Sequence, residues 1–252
     1  MKRDINISTA GMGFLMFLAL WQCFSFIINR PILPSPIQVL PVFFKLLYGE
    51  LGLHFLASTG RVLASIVVAV FLAVPIGLGL GQIRLLDRIF SPLIAITYPI
   101  PKIVLLPVIY VLFGITDISK ILLITLIIFF QILVVVKDEA ANLHPELILS
   151  VRSLGAGRRA LFRYVYLPAS LPGVLTALRI SVGTAIAVLF IVEQSLTTYG
   201  LGYYIVVETY QVLRYNEMYA GILAMGLLGL LFYFIIQRFE LLMNQYQHGE
   251  EY

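Results

Sequence analysis

The chain contains six apolar runs that are long enough to cross a lipid bilayer. They occupy residues 10–29, 55–81, 89–113, 119–136, 172–192 and 217–238. A helix that crosses the hydrocarbon core needs about 20 predominantly apolar residues. The runs therefore predict an all-α membrane protein with about six transmembrane helices.

The composition also indicates that the chain folds in a lipid bilayer and not in water. Of 252 residues, 60% are hydrophobic and 12% are charged, and the mean hydropathy is +0.98. A water-soluble domain carries about 25% charged residues. In a membrane protein, the net charge of +4 indicates basic cytoplasmic loops. The sequence contains no basic run interleaved with aromatic residues, so the charge does not indicate nucleic-acid binding. The single cysteine, Cys23, excludes a disulfide within the chain.

The first apolar run has two interpretations. Lys2 and Arg3 precede it, as in a signal peptide, but no small-x-small cleavage site follows in "FSFIINRPILPSP", which favours a retained helix. The segment "IQVLPVFFKLLYGEL" is typical of a short amphipathic segment at the membrane interface. We predict four regions: an N-terminal transmembrane helix (1–30), a periplasmic or interfacial linker (31–53), a membrane core (54–240) and a cytoplasmic tail (241–252).

Lysine and arginine predict the orientation, because cytoplasmic loops are enriched in these residues. With the N-terminus inside and six crossings, the larger basic group faces the cytoplasm: Lys2, Arg3, Arg84, Arg88, Lys137, Arg152, Arg158, Arg159, Arg163 and Arg238. A smaller group faces outward: Arg30, Lys45, Lys120 and Arg214, with Arg61 near that side. We therefore expect a multi-pass plasma (inner) membrane protein with both termini in the cytoplasm.

The largest cytoplasmic loop interrupts the apolar sequence with "LILSVRSLGAGRRALFRYVYLPASLP". Leu147, Val151 and Leu154 are spaced by four and three residues, which places them on one face of a short helix. Gly155 and Gly157 permit a sharp turn after it. The arginines of the loop point mostly elsewhere: Arg152, Arg158, Arg159 and Arg163. Such a loop either presents an apolar face to a protein groove or is a basic loop that contacts lipid headgroups.

This loop resembles the cytoplasmic coupling loop of ATP-binding cassette importer permeases. The family signature reads Glu-Ala-Ala, then a glycine, then an apolar residue shortly before Leu-Pro. Gly155, Val165 and Leu167-Pro168 match the last three elements. The literal Glu139-Ala140-Ala141 is out of register with Gly155, and the positions in register are Leu149–Val151. This departure weakens any role that the family's glutamate would carry.

The resemblance extends from "LPSP" to "RFELL" and is closest to the nitrate/sulfonate/taurine branch of binding-protein-dependent type I permeases. The matching stretches, in order, are "LPSPIQV", "HFLASTGRVLASIVVAVFLAVPIGLGLG", "PIPKIVLLPVIYVLFGI", "HPELILSVRSLGA" and "VEQSLTTYGLGYYI". The resemblance implies that residues 54–240 form the type I permease core.

The resemblance also implies a function and an assembly. The chain is expected to be the permease of an ATP-driven importer for a small anion such as a sulfonate, taurine or nitrate; a thiamine-precursor pyrimidine is the alternative solute. Implied partners are two cytosolic ATP-binding subunits, a second permease copy in a homodimer, and an extracytoplasmic solute-binding protein. The ATPase-coupling residues would be Leu147, Val151, Arg152, Leu154, Gly155, Ala156, Arg158, Val165, Leu167 and Pro168.

The chain is not expected to be an enzyme or to bind a cofactor itself. It has no GxxxxGK[ST] phosphate loop, so ATP is expected on the partner subunits. No serine, cysteine or carboxylate pair is arranged for catalysis. His54, His144 and His248 lack metal-ligand spacing, so no metal site is expected.

Polar residues at membrane depth are candidates for a translocation pathway. The candidates are Tyr98, Pro99, Lys102, Pro107, Gln131, Thr184 and Glu193. The prolines around Lys102 indicate a broken helix that lines a cavity or packs on protein. Gln131 and Thr184 line a polar route or join two helices by hydrogen bonds. Glu193 takes part in docking or gating, or lies in water at the interface, and Arg179 binds an anion or snorkels to the surface.

Two other classes of protein compete with an importer permease. An ion-coupled secondary transporter would carry more intramembrane carboxylates than these spans contain. A membrane scaffold would not need the glycine turn of the loop.

Overall fold

The computed structural model of the protein describes residues 7–194 and 197–248, and all regular structure in these ranges is helical. The helices are α1 (Ile7–Ile28), α2 (Pro36–Leu47), α3 (Glu50–Gln82), α4 (Arg84–Thr97), α5 (Leu106–Phe113), α6 (Asp117–Ala141), α7 (Pro145–Ser153), α8 (Arg158–Leu161), α9 (Leu167–Glu193), α10 (Leu201–Tyr203) and α11 (Tyr215–His248). A 3₁₀ turn covers Lys102–Leu105, and π-helical turns cover Phe162–Tyr166 and Tyr204–Tyr210.

Five helical stretches within the described residues are long and apolar enough to cross a membrane. They are Gly11–Ile28, Glu50–Gln82, Asp117–Ala141, Arg159–Glu193 and Tyr215–Met243. A sixth candidate is the pair α4 and α5, which passes the same test together but is bent by 83°. The prediction of an all-α protein with about six spans is confirmed.

The packing of α3 on α6 makes the bent pair a single crossing. The two helices run parallel: Arg61 pairs with Asp117 near their N-terminal ends. At their other ends, a Cβ on Gly81 would lie 2.6 Å from the Cβ of Ala140. Since α3 finishes at one end of the bundle and α6 starts at the other, residues 83–116 must return across it. The helices α4 and α5 together are therefore one broken span.

The break follows from the prolines. Helix α4 ends at Thr97, and α5 begins at Leu106. Pro99 and Pro101 lie between them; proline donates no backbone hydrogen bond and disfavours a helical conformation in the preceding residue. The predicted broken helix in this region is confirmed.

The remaining spans complete the bundle around α6. Helix α9 runs antiparallel to α6, because Gln131 of α6 contacts Thr184 and Glu139 packs over Gly173. Helix α11 packs on α9, on the π-helical turn 204–210 and on α2. The first helix is peripheral: only 11% of its spanning window is buried. Its anchor is Trp21, whose Nε1 donates to the Pro34 carbonyl at 3.0 Å.

The structure revises several boundaries. The fifth span begins before residue 172: α9 starts at Leu167, and the helical turns that precede it extend the spanning stretch back to Arg159. The segment predicted to lie at the interface forms α2, which packs on α11 and buries Val39 and Phe43. Helix α11 continues through residues 241–248 of the predicted tail. Lys2, Arg3 and residues 249–252 lie outside the described residues.

The bundle has two ends. The Gly155 end carries residues 142–166, between α6 and α9. The Glu193 end carries the N-terminal ends of α3 and α6 and the C-terminal end of α9.

Candidate functional site

The loop at the Gly155 end contains two short helices joined by a tight turn. Helix α7 ends at Ser153, and Gly155 follows with a φ of +83°. Its N–H donates to the Arg152 carbonyl at 3.0 Å, which closes the helix. Left-handed backbone of this kind favours glycine, which has no Cβ. A Cβ at Gly155 would meet nothing within 4 Å, so the backbone conformation, and not crowding, explains the glycine.

The loop contains both exposed and buried apolar side chains. Leu154 is 86% exposed and Leu147 is 49% exposed, whereas Val151 on the same face is half-buried. Leu161 and Val165 are buried in the turns that follow, which pack on α7 and on the start of α9. The other predicted coupling residues differ in exposure: Arg152 and Pro168 are exposed, and Ala156 and Leu167 are half-buried. The side chain of Arg158 lies outside the described part of the structure.

The structure separates the literal Glu-Ala-Ala from the loop. Glu139, Ala140 and Ala141 form the last turn of α6, where Ala140 is fully buried. The positions in register with Gly155, Leu149–Val151, lie on α7. The literal triplet therefore belongs to a membrane helix, and α7 is the short helix of the loop.

Lys102 lies at the break between α4 and α5 and is 9% exposed. Its Nζ donates to the carbonyl oxygens of Thr97 at 2.9 Å and Tyr98 at 2.6 Å. The same ammonium lies 4.6 Å from the centre of the Phe130 ring. A cation at a helix C-terminus satisfies free carbonyls and interacts favourably with the helix dipole. In this conformation Lys102 therefore caps α4.

The other pathway candidates are distributed between the bent span and the α6–α9 contact. Tyr98 is 48% exposed beside the break, and Pro107 is the second residue of α5. Gln131 Nε2 donates to Thr184 Oγ1 at 3.2 Å, which joins α6 to α9. The sequence left two roles open for this pair, and the structure places it in a helix–helix hydrogen bond.

Arg179 has a partner that the sequence analysis did not identify. Its Nη1 lies 2.9 Å from Oε2 of Glu240 on α11. Thr176 Oγ1 donates to the other carboxylate oxygen at 3.0 Å. This pairing argues against the first alternative, a free anion-binding group, and the second alternative, a snorkelling side chain, stays a prediction. The arginine joins α9 to α11 as half of a largely buried ion pair.

Glu193 belongs to a group of polar residues at the Glu193 end that we call the Glu193 cluster. Its members are His54, Ser58, Arg61, Asp117, Lys120 and Glu193, from α3, α6 and α9. Glu193 is 0% exposed, so the expectation of an interfacial residue in water is wrong. Its carboxylate accepts hydrogen bonds from Ser58 Oγ and Arg61 Nη1.

The sequence contains a signal that points to this cluster. Arg61 and Lys120 were both predicted near the outer side, and Asp117 is three residues before Lys120. Ionisable groups in spanning segments are costly unless paired, so an arginine within a span predicts an acidic partner at the same depth. The fold supplies two such partners from two different helices.

These features define a polytopic helical membrane protein with a glycine-turned, apolar-faced loop at one end. Residues 65–245 match the model of the family described as binding-protein-dependent transport system inner membrane component. The chain belongs to this family, and it is a permease of the ATP-binding cassette importer type. The ion-coupled transporter and scaffold alternatives are therefore not retained.

Individual relatives agree with this assignment. The chain is 29% identical to the taurine transport system permease protein TauC of Escherichia coli (strain K12), covering 92% of this chain and 86% of the relative. It is 27% identical to the formylaminopyrimidine transport permease protein ThiX of Halalkalibacterium halodurans, covering 95% and 96%. A structure of the MetNI methionine transporter in an inward-facing conformation superposes with a TM-score of 0.63 at 23% identity, covering 77% of this chain and 96% of that chain. The fold is therefore that of an importer permease.

Proposed function

We propose that the loop at the Gly155 end couples this permease to a cytosolic ATPase. The observation that carries the proposal is the combination of an 86% exposed Leu154 with a left-handed Gly155 directly after it. Exposed apolar side chains on a short, rigidly turned helix fit a protein groove better than they fit lipid headgroups or water. Buried Leu161 and Val165 would transmit the movement of the docked helix to the start of α9.

The assembly that we propose contains two ATP-binding subunits, two copies of this permease and an extracytoplasmic binding protein. ATP is bound and hydrolysed by the partner subunits. The family description, which names binding-protein-dependent transport, supports the binding protein in this assembly. Among the described residues, no group of histidine, cysteine and acidic side chains could hold a metal ion.

We propose that the solute is a small sulfonate such as taurine. Support comes from relatives whose names state taurine and aliphatic sulfonates. The test is uptake of radiolabelled taurine by cells that express this chain together with its ATPase and its binding protein. Uptake that requires all three components supports the proposal, and its absence with a functional, assembled complex contradicts it.

A thiamine-precursor pyrimidine is the second candidate solute. Its specific support is the ThiX relative, which matches 95% of this chain. Uptake of formylaminopyrimidine in the same cells, without uptake of taurine, would establish this candidate instead.

The bent span is our candidate for one wall of the pathway. Breaking the helix frees the backbone carbonyls of Thr97 and Tyr98, which Lys102 caps in this conformation. Non-helical backbone at membrane depth requires protein or a water-filled cavity beside it. Tyr98, Pro99, Lys102 and Pro107 lie along this span, and Gln131 and Thr184 lie at the neighbouring α6–α9 contact. Glu193 is left out of this wall because its carboxylate is fully buried.

We place both termini and the Gly155 end in the cytoplasm, following the distribution of lysine and arginine. Tyr48 is 94% exposed, and Ser153 is exposed on the loop at the opposite end. In a Cys23→Ser background, a membrane-impermeant thiol reagent applied to intact cells should label Tyr48→Cys but not Ser153→Cys. The reverse labelling pattern would invert the orientation.

A further inference from the structure

A short segment at the Glu193 end, residues 197–203, is fixed to the bundle through three consecutive backbone N–H groups. The N–H of Gly200 donates to His54 Nδ1 at 3.0 Å, and the N–H of Leu201 donates to Ser58 Oγ at 2.8 Å. The N–H of Gly202 donates to Glu193 Oε2 at 3.1 Å. Each acceptor is buried, so the segment is bonded to groups inside α3 and α9 and not to water.

Arg61 connects this segment to a third helix. Its Nη1 donates to the Tyr199 carbonyl at 2.8 Å and also to Glu193. Its Nε and Nη2 contact Oδ1 of Asp117 on α6 at 2.9 and 2.7 Å. Lys120, also on α6, donates to Thr197 Oγ1 at 2.6 Å. One guanidinium therefore joins the segment to both α6 and α9 from its position on α3.

The charges of this arrangement compensate one another. Arg61, Lys120 and Glu193 are buried, whereas the fourth charged group, the Asp117 carboxylate, is 64% exposed. Buried charges are tolerated when they are paired and hydrogen-bonded, and removing one partner is strongly destabilising because the other stays buried and uncompensated. These four charges sum to zero, and the acidic Glu208 lies beside them, 3.3 Å from Nε2 of His54. The Glu193 carboxylate is fully buried and already holds Ser58, Arg61 and the Gly202 N–H, which favours a mechanical role over a solute-binding one.

Two glycines allow the close approach of the segment. Gly200 has a φ of +133°, and a Cβ there would overlap both the Glu193 carboxylate and the Arg61 guanidinium. A Cβ on Gly202 would lie 2.7 Å from Cβ of Glu193. The segment fits the cluster only because these two positions lack side chains.

We infer that Glu193 and Arg61 are positioning residues that pin residues 197–203 across the ends of α3, α6 and α9, so that the three helices and the segment move as one body. With the orientation of the proposed function, this body forms the extracytoplasmic face of the permease. It is the rigid element that must move when the opposite end is driven by the ATPase.

The test measures how readily a thiol reagent reaches the buried side of residues 197–203. Leu201 is 0% exposed, so Leu201→Cys in a Cys23→Ser background reports release of the segment when intact cells are treated with an impermeant thiol reagent. Thr198→Cys, at an exposed position, is the reference that should label rapidly in every variant. Failure of the reference to label would refute the proposed orientation, not the positioning role.

Glu193→Gln removes the charge while keeping the shape, and Ser58→Ala removes one hydroxyl without altering any charge. Hydrogen bonds to a buried charge are strong, so we expect Glu193→Gln to raise the labelling rate of Leu201→Cys by about tenfold or more. The matched control is Glu217→Gln, because Glu217 forms an exposed pair with Arg214 at 3.3 Å near the same end. This control should leave the rate unchanged.

A transport readout separates positioning from general stability. With taurine as the probe, Glu193→Gln should lower the maximal uptake rate without raising KM, and the ATPase should still copurify. Glu193→Asp, which retains the charge, should recover part of the rate. Unchanged Leu201→Cys labelling in both Glu193→Gln and Ser58→Ala would overturn the inference, as would an equal increase in Glu217→Gln. If Glu193→Gln does not insert, Ser58→Ala decides.

Discussion

The clearest perturbation of the coupling loop is Gly155→Ala. Gly155 has a φ of +83°, and a Cβ there would meet nothing within 4 Å. The substitution therefore adds no clash within the chain, and its whole cost is backbone strain. For an L-residue in the left-handed region this strain is about 1–2 kcal/mol, which corresponds to a factor of about 5–30 in an equilibrium constant.

This strain should appear as weaker binding of the ATPase. If the turned conformation is the one that docks, the apparent dissociation constant rises in proportion as the docking-competent fraction falls. We expect an increase of about 5- to 30-fold, measured by titrating purified ATPase onto detergent-solubilised permease. Gly155→Asn should be milder, because asparagine tolerates left-handed backbone better than alanine does.

Gly157→Ala is the matched control for Gly155→Ala. Gly157 lies in the same turn, has nothing within 4 Å of a Cβ and is not among the positive-φ glycines. The affinity of the Gly157→Ala variant for the ATPase should stay close to that of the wild type. Equal affinities of Gly155→Ala and the wild type, or equal losses at both glycines, would refute the argument that the left-handed turn positions the coupling helix.

Two further predictions concern the membrane core. Gly77→Ala should lower the melting temperature of the purified permease, because the new Cβ would lie 2.8 Å from Cγ1 of Val136. Gly79→Ala is the control: a Cβ there would meet nothing within 4 Å, so the melting temperature should stay the same or rise slightly. A larger decrease for Gly79→Ala than for Gly77→Ala would contradict the α3–α6 packing. Lys102→Met should lower both thermal stability and taurine uptake by leaving the Thr97 and Tyr98 carbonyls uncapped. Pro107→Ala should change less, because Pro107 takes no part in the contacts of Lys102 with Thr97 and Tyr98. A larger loss for Pro107→Ala than for Lys102→Met would contradict the capping role.

The sequence predicted the features that depend on local pattern and length. Six apolar runs correspond to α1, α3, the bent pair, α6, α9 and α11, because each crossing requires a continuous apolar segment. The prolines around Lys102 predicted the broken helix because proline disrupts a helix through its own backbone, whatever packs beside it. The turn at Gly155 was predictable because glycine, which has no side chain, permits a sharp turn within the short basic loop.

The pairing of charges between helices could not be predicted in the same way. Arg61 contacts residues 56 and 132 positions later in the chain, and only the parallel packing of α3 on α6 brings them together. Arg179 and Glu240 are joined through the α9–α11 contact, 61 residues apart in the printed sequence. Periodicity places each side chain on a face, whereas the partner depends on how whole helices pack.

The central claim is that the face formed by Leu147, Val151 and Leu154 docks on a cytosolic ATPase, and Leu154→Asp tests it most directly. Leu154 is 86% exposed in the permease alone, so a carboxylate there costs the isolated chain little, but burying it in an apolar groove is strongly unfavourable. Leu149→Asp is the control: Leu149 is 62% exposed, and helical periodicity places it on the opposite face of α7. We predict that Leu154→Asp inserts into the membrane normally but loses the ATPase on copurification, whereas Leu149→Asp retains it. Normal ATPase retention by a correctly inserted Leu154→Asp variant would contradict the claim.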